Sequence, residues 1–154
     1  MTELTILEES LAQKKVILAR IIAENKAQEK ALKADPADFD AFEAIVDKKT
    51  ALIDELVLLD GGFESVYDRI RDTLLAQRDR YSKNIASLRA LITDVTEQSV
   101  RIQAQEARNK ALVEKVLARG REDIQTDRIR AKAAYDYMSR MTGDTPARFL
   151  DTRK

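Results

Sequence analysis

Apolar residues recur at heptad spacing along most of this chain, and the first series lies near its start. The ladder contains Leu4, Leu11, Leu18, Asn25 and Leu32, with Leu7 and Ile21 between them. This spacing predicts one helix over residues 3–33. Pro36 ends it because proline cannot occupy a helix interior, and Asp38 is positioned to cap the next helix.

A second ladder follows this hairpin and predicts helix 2 over residues 38–76. Its members are Phe42, Ile45, Lys49, Leu52, Leu56 and Leu59, and its phase continues through Phe63, Val66 and Ile70. Gly61 and Gly62 interrupt it, and each weakens a helix by about 1 kcal/mol relative to alanine. Two alternatives remain open: a helix kinked near residues 60–62, or one that breaks there and resumes.

A third ladder predicts the longest helix, over residues 80–141, after a turn near Gln77. It contains Tyr81, Leu88, Val95, Ile102, Asn109 and Val116, flanked by Ile85, Leu91, Ile92, Leu112 and Val113. Gly143 and Pro146 end this helix and leave residues 142–154 as a tail.

Three long amphipathic helices joined by short turns predict an all-α fold, an antiparallel bundle that forms one domain over residues 1–154. The composition agrees, since 35% of the residues are charged and only 4 glycines and 2 prolines are available for turns. The predicted core consists of Leu4, Leu7, Leu11, Leu18, Ile21, Phe42, Ile45, Leu52, Leu56, Leu88, Val95 and Ile102.

Counting levels along such a bundle places residues of different helices side by side. Asn25 then lies beside residue 111, within about one turn of Asn109, and both asparagines occupy seam positions. They form either a buried pair that sets the register or two side chains that reach the edge of the bundle. The same count leaves everything beyond Gly120 as an overhanging C-terminal helix with no neighbour in the bundle.

Charge argues against a polyanionic partner, because 27 basic and 27 acidic residues give a net charge of zero. Nucleic acid is therefore not predicted as a partner. The signs do segregate, since residues 38–64 hold eight acids and only Lys48 and Lys49 as bases. The first residues are acidic, unlike a signal peptide, and no apolar run reaches the about 18 residues of a membrane span. We predict a cytoplasmic protein without membrane insertion.

No catalytic residue, metal site or cofactor site is predicted, and the chain is not expected to be an enzyme. It has no histidine and no cysteine, which removes the commonest general base, metal ligand and thiol nucleophile. No glycine-rich phosphate-binding motif occurs, and the serines have no base to activate them. Adjacent acids such as Glu8 and Glu9 are typical of a solvated helix face.

The end of helix 3, residues 121–141, is the predicted partner-binding segment. Small residues allow close approach of another helix, tyrosine supplies amphipathic contact area, and methionine adapts to varied surfaces. The candidate residues are Ala131, Ala134, Tyr135, Tyr137, Met138 and Met141. In the alternative, this segment folds back onto its own bundle.

Two short runs carry a family resemblance. They are LxxLDxxF at Leu56, Leu59, Asp60 and Phe63, and IQxxExxN at Ile102, Gln103, Glu106 and Asn109. With the element lengths and the terminal AAYDYMSRM run, they make residues 3–141 resemble the FlgN family of flagellar export chaperones, especially its Gram-positive versions. The resemblance implies a cytoplasmic helical chaperone. It would bind the C-terminal helices of hook-filament junction (hook-associated) proteins, keep them unassembled and deliver them to the flagellar type III export gate.

A different class of function also fits the ladders, namely a structural coiled-coil scaffold or homodimer whose C-terminal helix pairs with its own copy. Sustained charge complementarity beside the seam would favour such self-association, whereas adaptable methionine and tyrosine side chains favour a foreign partner. The third hypothesis, an enzyme, is kept only for the case that a tightly bound metal or nucleotide is found.

Overall fold

The computed structural model describes residues 2–119 and Tyr137, and residues 2–119 form three α-helices. Helix α1 spans Thr2–Lys33, α2 spans Phe39–Ala76 and α3 spans Ser82–Arg119. No strand occurs in this described part, so the predicted all-α bundle is confirmed. The bounds of α1 and α2 agree with the prediction to within one residue. Helix α3 starts two residues later than predicted, and its predicted end lies outside the described residues.

Short turns determine the direction of the helices. Asp38 caps α2 as predicted, since its carboxylate accepts a hydrogen bond of 3.0 Å from the backbone N–H of Ala41 and satisfies a donor that the helix cannot pair. The second turn follows Ala76, where the backbone N–H of Gln77 and that of Tyr81 donate to nearby carbonyls. As a result α2 runs antiparallel to both α1 and α3.

Helix α2 continues through Gly61 and Gly62 without interruption. The predicted alternative of a break is therefore wrong. Neither glycine has a positive φ, and the neighbouring core residues Phe63 and Val66 are only 3% and 7% exposed. Burying such a side chain contributes about 1.5–3 kcal/mol, which outweighs the roughly 1 kcal/mol that each glycine costs.

Helix α1 is the central element, because it packs along both α2 and α3. The backbones of α2 and α3 approach each other much less closely, and long side chains such as Lys49 and Glu106 bridge the space between them. Ten of the twelve predicted core residues are buried. The other two, Leu52 and Leu56, are half-buried and pack against the edge of the core, since this part of α2 has mainly α1 as its neighbour.

A layer of buried polar residues separates two apolar clusters. The larger cluster occupies the part of the bundle that contains the turn between α2 and α3, and it includes Leu7, Phe63 and Val95. The smaller cluster lies at the other end and contains Ala31, Leu32, Phe42 and Val113. The polar layer consists of Asn25, Gln28, Lys49, Gln105, Glu106 and Asn109. Within the described part of the chain, no helix has the apolar length that crossing a membrane requires.

Candidate functional site

A buried ion pair lies at the centre of the polar layer. Lys49 of α2 donates to a carboxylate oxygen of Glu106 on α3 and, at 3.0 Å, to the side-chain carbonyl of Gln28 on α1. The side chains of the pair are 0% and 1% exposed. Burial lowers the pKa of Lys49, and the nearby Glu106 carboxylate opposes that shift. Each of the three helices therefore contributes one side chain to this site, namely Gln28, Lys49 and Glu106.

The predicted asparagine pair forms, although not through direct contact of the two side chains. Asn109 donates from Nδ2 to the backbone carbonyl of Asn25 at 3.0 Å, and Asn25 donates to Oε1 of Gln105 at 3.1 Å. Both asparagines are 1% exposed, so the alternative that they reach the edge of the bundle is wrong. Gln105 in turn donates to the backbone carbonyl of Ile22 at 3.2 Å. These bonds join α1 to α3.

The alignment of α3 with α1 along the bundle axis differs from the alignment that was counted from the sequence. Asn25 bonds to Gln105 and Asn109, so its neighbours lie about one turn earlier along α3 than residue 111, while the predicted closeness to Asn109 is confirmed. The difference arises in the first hairpin, because Lys14 contacts Asp60 and Gln28 contacts Lys49. These pairs show that the chain folds back around a point near Asp38, slightly later than the turn near Pro36 on which the count rests.

Several atoms of the polar layer have no hydrogen-bond partner among the described residues. They are Oε2 of Glu106, Oδ1 of Asn25, Oδ1 of Asn109 and Nε2 of Gln28, all of them buried. An unsatisfied buried polar group costs about 1–3 kcal/mol, so the layer opposes stability. Buried polar residues of this kind set the register of helical bundles, because any slip would separate more of them from their partners.

Tyr137 is the single described residue of the predicted partner-binding segment. It is half-buried and packs against the smaller apolar cluster, which includes Phe42 and Val113. The Nζ atom of Lys49 lies 5.6 Å from the centre of its ring, a distance suited to a cation–π interaction. Tyr137 therefore lies at the border between the polar layer and the smaller apolar cluster.

The position of Tyr137 corrects the overhang prediction. Residues beyond Gly120 were expected to have no neighbour in the bundle, and at Tyr137 this expectation is wrong. The level count did not consider that the apolar cluster and the Lys49 ammonium together offer an aromatic ring a better environment than water. At this residue the alternative of a return to the bundle is what the structure shows.

The other predicted partner-binding residues, Ala131, Ala134, Tyr135, Met138 and Met141, lie outside the described residues and stay predictions. The polar layer itself was not predicted as a site. The sequence did contain a signal for this layer, because Lys49 occupies a seam position of the second ladder. The two asparagines occupy seam positions of the first and third ladders. In the described part of the chain, no three acidic side chains are grouped as metal ligands.

In the part of the chain that the structure describes, three long helices pack into an apolar bundle that contains a buried polar layer, which is the architecture of an all-α helical bundle protein. The chain belongs to the FlgN family, since the family model described as FlgN protein matches residues 1–135. The predicted resemblance is thereby confirmed. No curated protein and no solved structure matches the chain. FlgN is a family of flagellar export chaperones, so membership implies a general role in flagellar export through binding of flagellar proteins.

Proposed function

We propose that this protein is a cytoplasmic chaperone for hook-filament junction (hook-associated) proteins. It binds their C-terminal helices, keeps them unassembled and delivers them to the flagellar type III export gate. The observation that carries the proposal is the family match over residues 1–135, which includes more than half of the predicted partner-binding segment. No cofactor takes part in this function.

The position of Tyr137 supports a binding surface made of two parts. Residues 121–141 supply one part, and the end of the bundle around Phe42 and Val113, where Tyr137 packs, supplies the other. A cargo helix that buries about 600 Å² of apolar surface gains a gross ~15 kcal/mol, most of which ordering and association offset. The expected affinity is therefore near micromolar, which suits a cargo that must be released.

The test replaces two predicted contact residues with aspartate in one variant, Tyr135→Asp/Met138→Asp. We expect binding to be lost while the bundle of α1, α2 and α3 stays folded, because these changes spare Tyr137, the described contact of this segment with the bundle. Binding is measured by isothermal titration calorimetry with a synthetic peptide. The peptide has the sequence of the C-terminal helix of a hook-associated protein from the same organism. Val100→Asp is the matched control, because Val100 is a 60% exposed apolar residue on α3. This control should bind the peptide as the wild type does.

Two other outcomes would contradict the proposal in different ways. If the double variant unfolds, this segment belongs to the core of the bundle, and the cargo surface must be sought elsewhere. If the variant stays folded and binds the peptide normally, the segment is not the binding element. A wild-type protein that binds no such peptide and dimerises in solution would support the scaffold alternative.

A further inference from the structure

A surface on the outer side of α2 has features that the packing of the described residues does not explain. Leu58 is 78% exposed and its neighbour Val57 is 62% exposed, the two highest values among the large apolar residues of the described part. Gly61 and Gly62 follow Leu58 by one turn and are also exposed. We call these four residues the Leu58 surface.

The two glycines of this surface are not required by the fold. Neither has a positive φ, and a Cβ atom built at either position would meet nothing within 4 Å. Alanine would therefore fit at both positions and would favour the helix. Glycine in mid-helix removes side-chain bulk, and its use is to let another backbone come close.

The charged residues of the α2 segment that carries the Leu58 surface are all acidic. Residues 50–68 contain five acids and no basic residue. Asp60 is paired with Lys14 at 2.7 Å, while Asp54, Glu55, Glu64 and Asp68 are exposed. An acidic rim repels anionic lipid and nucleic acid, and it would also repel the same surface of a second copy.

We propose that the Leu58 surface binds a basic amphipathic helix of another protein. The apolar face of that helix covers Leu58 and Val57, its backbone approaches α2 at Gly61 and Gly62, and its lysine or arginine residues face Asp54 and the neighbouring acids. None of the four residues of the Leu58 surface belongs to the predicted segment 121–141, so the inference does not depend on the proposed cargo.

The experiment uses the full-length protein and a fluorescein-labelled synthetic peptide of about 20 residues, long enough to form a helix. The peptide carries leucine on one helical face and lysine on the other. One control peptide replaces every lysine with glutamate, and a second has the same composition in a scrambled order. Fluorescence anisotropy should show that the basic amphipathic peptide binds and that neither control peptide does. When the anisotropy is followed in time, the association rate should fall as salt is added.

The decisive variant is Gly61→Ala/Gly62→Ala. We expect it to unfold at a higher urea concentration than the wild type, because alanine favours the helix, and yet to bind the peptide roughly tenfold more weakly. Leu58→Ala should also weaken binding by about fivefold or more, since it removes the main apolar contact. Val100→Ala, which shortens a comparably exposed apolar residue on α3, should leave binding unchanged.

Three results would overturn the proposal. The first is equal binding by the wild type and the double alanine variant, and the second is equal binding of the scrambled and amphipathic peptides. The third is self-association of the wild type in sedimentation velocity that the double alanine variant abolishes, because the occupant would then be a second copy of this chain. None of these results depends on binding at residues 121–141, so the cargo proposal can fail or hold independently.

Discussion

Lys49 and Glu106 form an enclosed ion pair, and removing it tests the energetic role of the polar layer. The two side chains are 0% and 1% exposed, so solvent screens their interaction little. Removing one partner of such a pair leaves an uncompensated buried charge, which typically destabilises a protein by about 3–5 kcal/mol. We expect Lys49→Met and Glu106→Leu each to lower the free energy of unfolding by an amount in that range.

The surroundings of the pair predict which single variant is worse. After Glu106→Leu, Lys49 keeps the carbonyl of Gln28 at 3.0 Å and the ring of Tyr137 at 5.6 Å. After Lys49→Met, Glu106 loses the donor to its Oε1, and its Oε2 already lacks a partner among the described residues. Lys49→Met should therefore lie near the upper end of the range and Glu106→Leu near the lower end.

The double variant Lys49→Met/Glu106→Leu separates loss of the pair from loss of one charge. Replacing a whole buried ion pair with apolar side chains of similar volume is often neutral, or stabilising by about 1–4 kcal/mol. We expect the double variant to be at least as stable as the wild type. The coupling energy of the double-mutant cycle should then be at least about 6 kcal/mol, the sum of the two single losses, which is above the usual upper end of about 3 kcal/mol for residues in contact.

The free energy of unfolding of all three variants is measured by urea unfolding followed by far-UV circular dichroism. Equal m-values would show that the same unfolding transition is being compared. The matched control is the exposed pair between Lys15 and Asp94, which also joins two helices, at 2.9 Å, but has side chains 38% and 47% exposed. Lys15→Met should cost less than about 1 kcal/mol. Single-variant losses at Lys49 and Glu106 as small as that of the control would refute the reasoning, as would a double variant whose loss equals the sum of the singles.

Two further predictions concern pH and the start of α2. Burial holds the pKa of Lys49 below its ordinary value of 10.5. Between the lowered pKa and 10.5 the unfolded chain holds a proton that the folded chain has released, so the wild type should gain stability relative to Lys49→Met/Glu106→Leu as pH rises. Urea unfolding at increasing pH measures this difference, and a flat or falling difference would exclude the predicted direction. Asp38→Ala should lower the free energy of unfolding by about 1 kcal/mol, because the N–H of Ala41 loses its 3.0 Å acceptor. Asp38→Asn keeps an acceptor and should lose much less in the same urea assay; equal losses would mean that charge rather than capping is responsible.

Short-range patterns were sufficient to predict where α1 and α2 begin and end. Pro36, the Asp38 cap and the heptad spacing each act over a few residues, so their effects can be read without knowing any partner. The buried face of each helix followed from the same spacing, and ten of twelve predicted core residues are buried. The resemblance to the FlgN family also rested on two short local motifs, LxxLDxxF and IQxxExxN, and the second contains Glu106.

The glycine pair marks the limit of that local reasoning. Propensity alone left open whether α2 kinks or breaks near Gly61 and Gly62, and the helix is continuous there. The outcome depended on how much apolar surface the residues on either side bury against α1, as Phe63 does at 3% exposure. That quantity is a property of the assembled bundle and is not contained in the helix itself.

Four features were decided by tertiary structure alone. A heptad ladder marks one face of a helix but does not say which neighbour covers it, so the central place of α1 and the partial exposure of Leu56 could not be derived. Burial of Lys49 requires Glu106, which is 57 positions away along the chain. The site of Tyr137 depends on an apolar cluster to which all three helices contribute. Each of these contacts joins distant parts of the chain, and its free energy exists only once the helices have packed together.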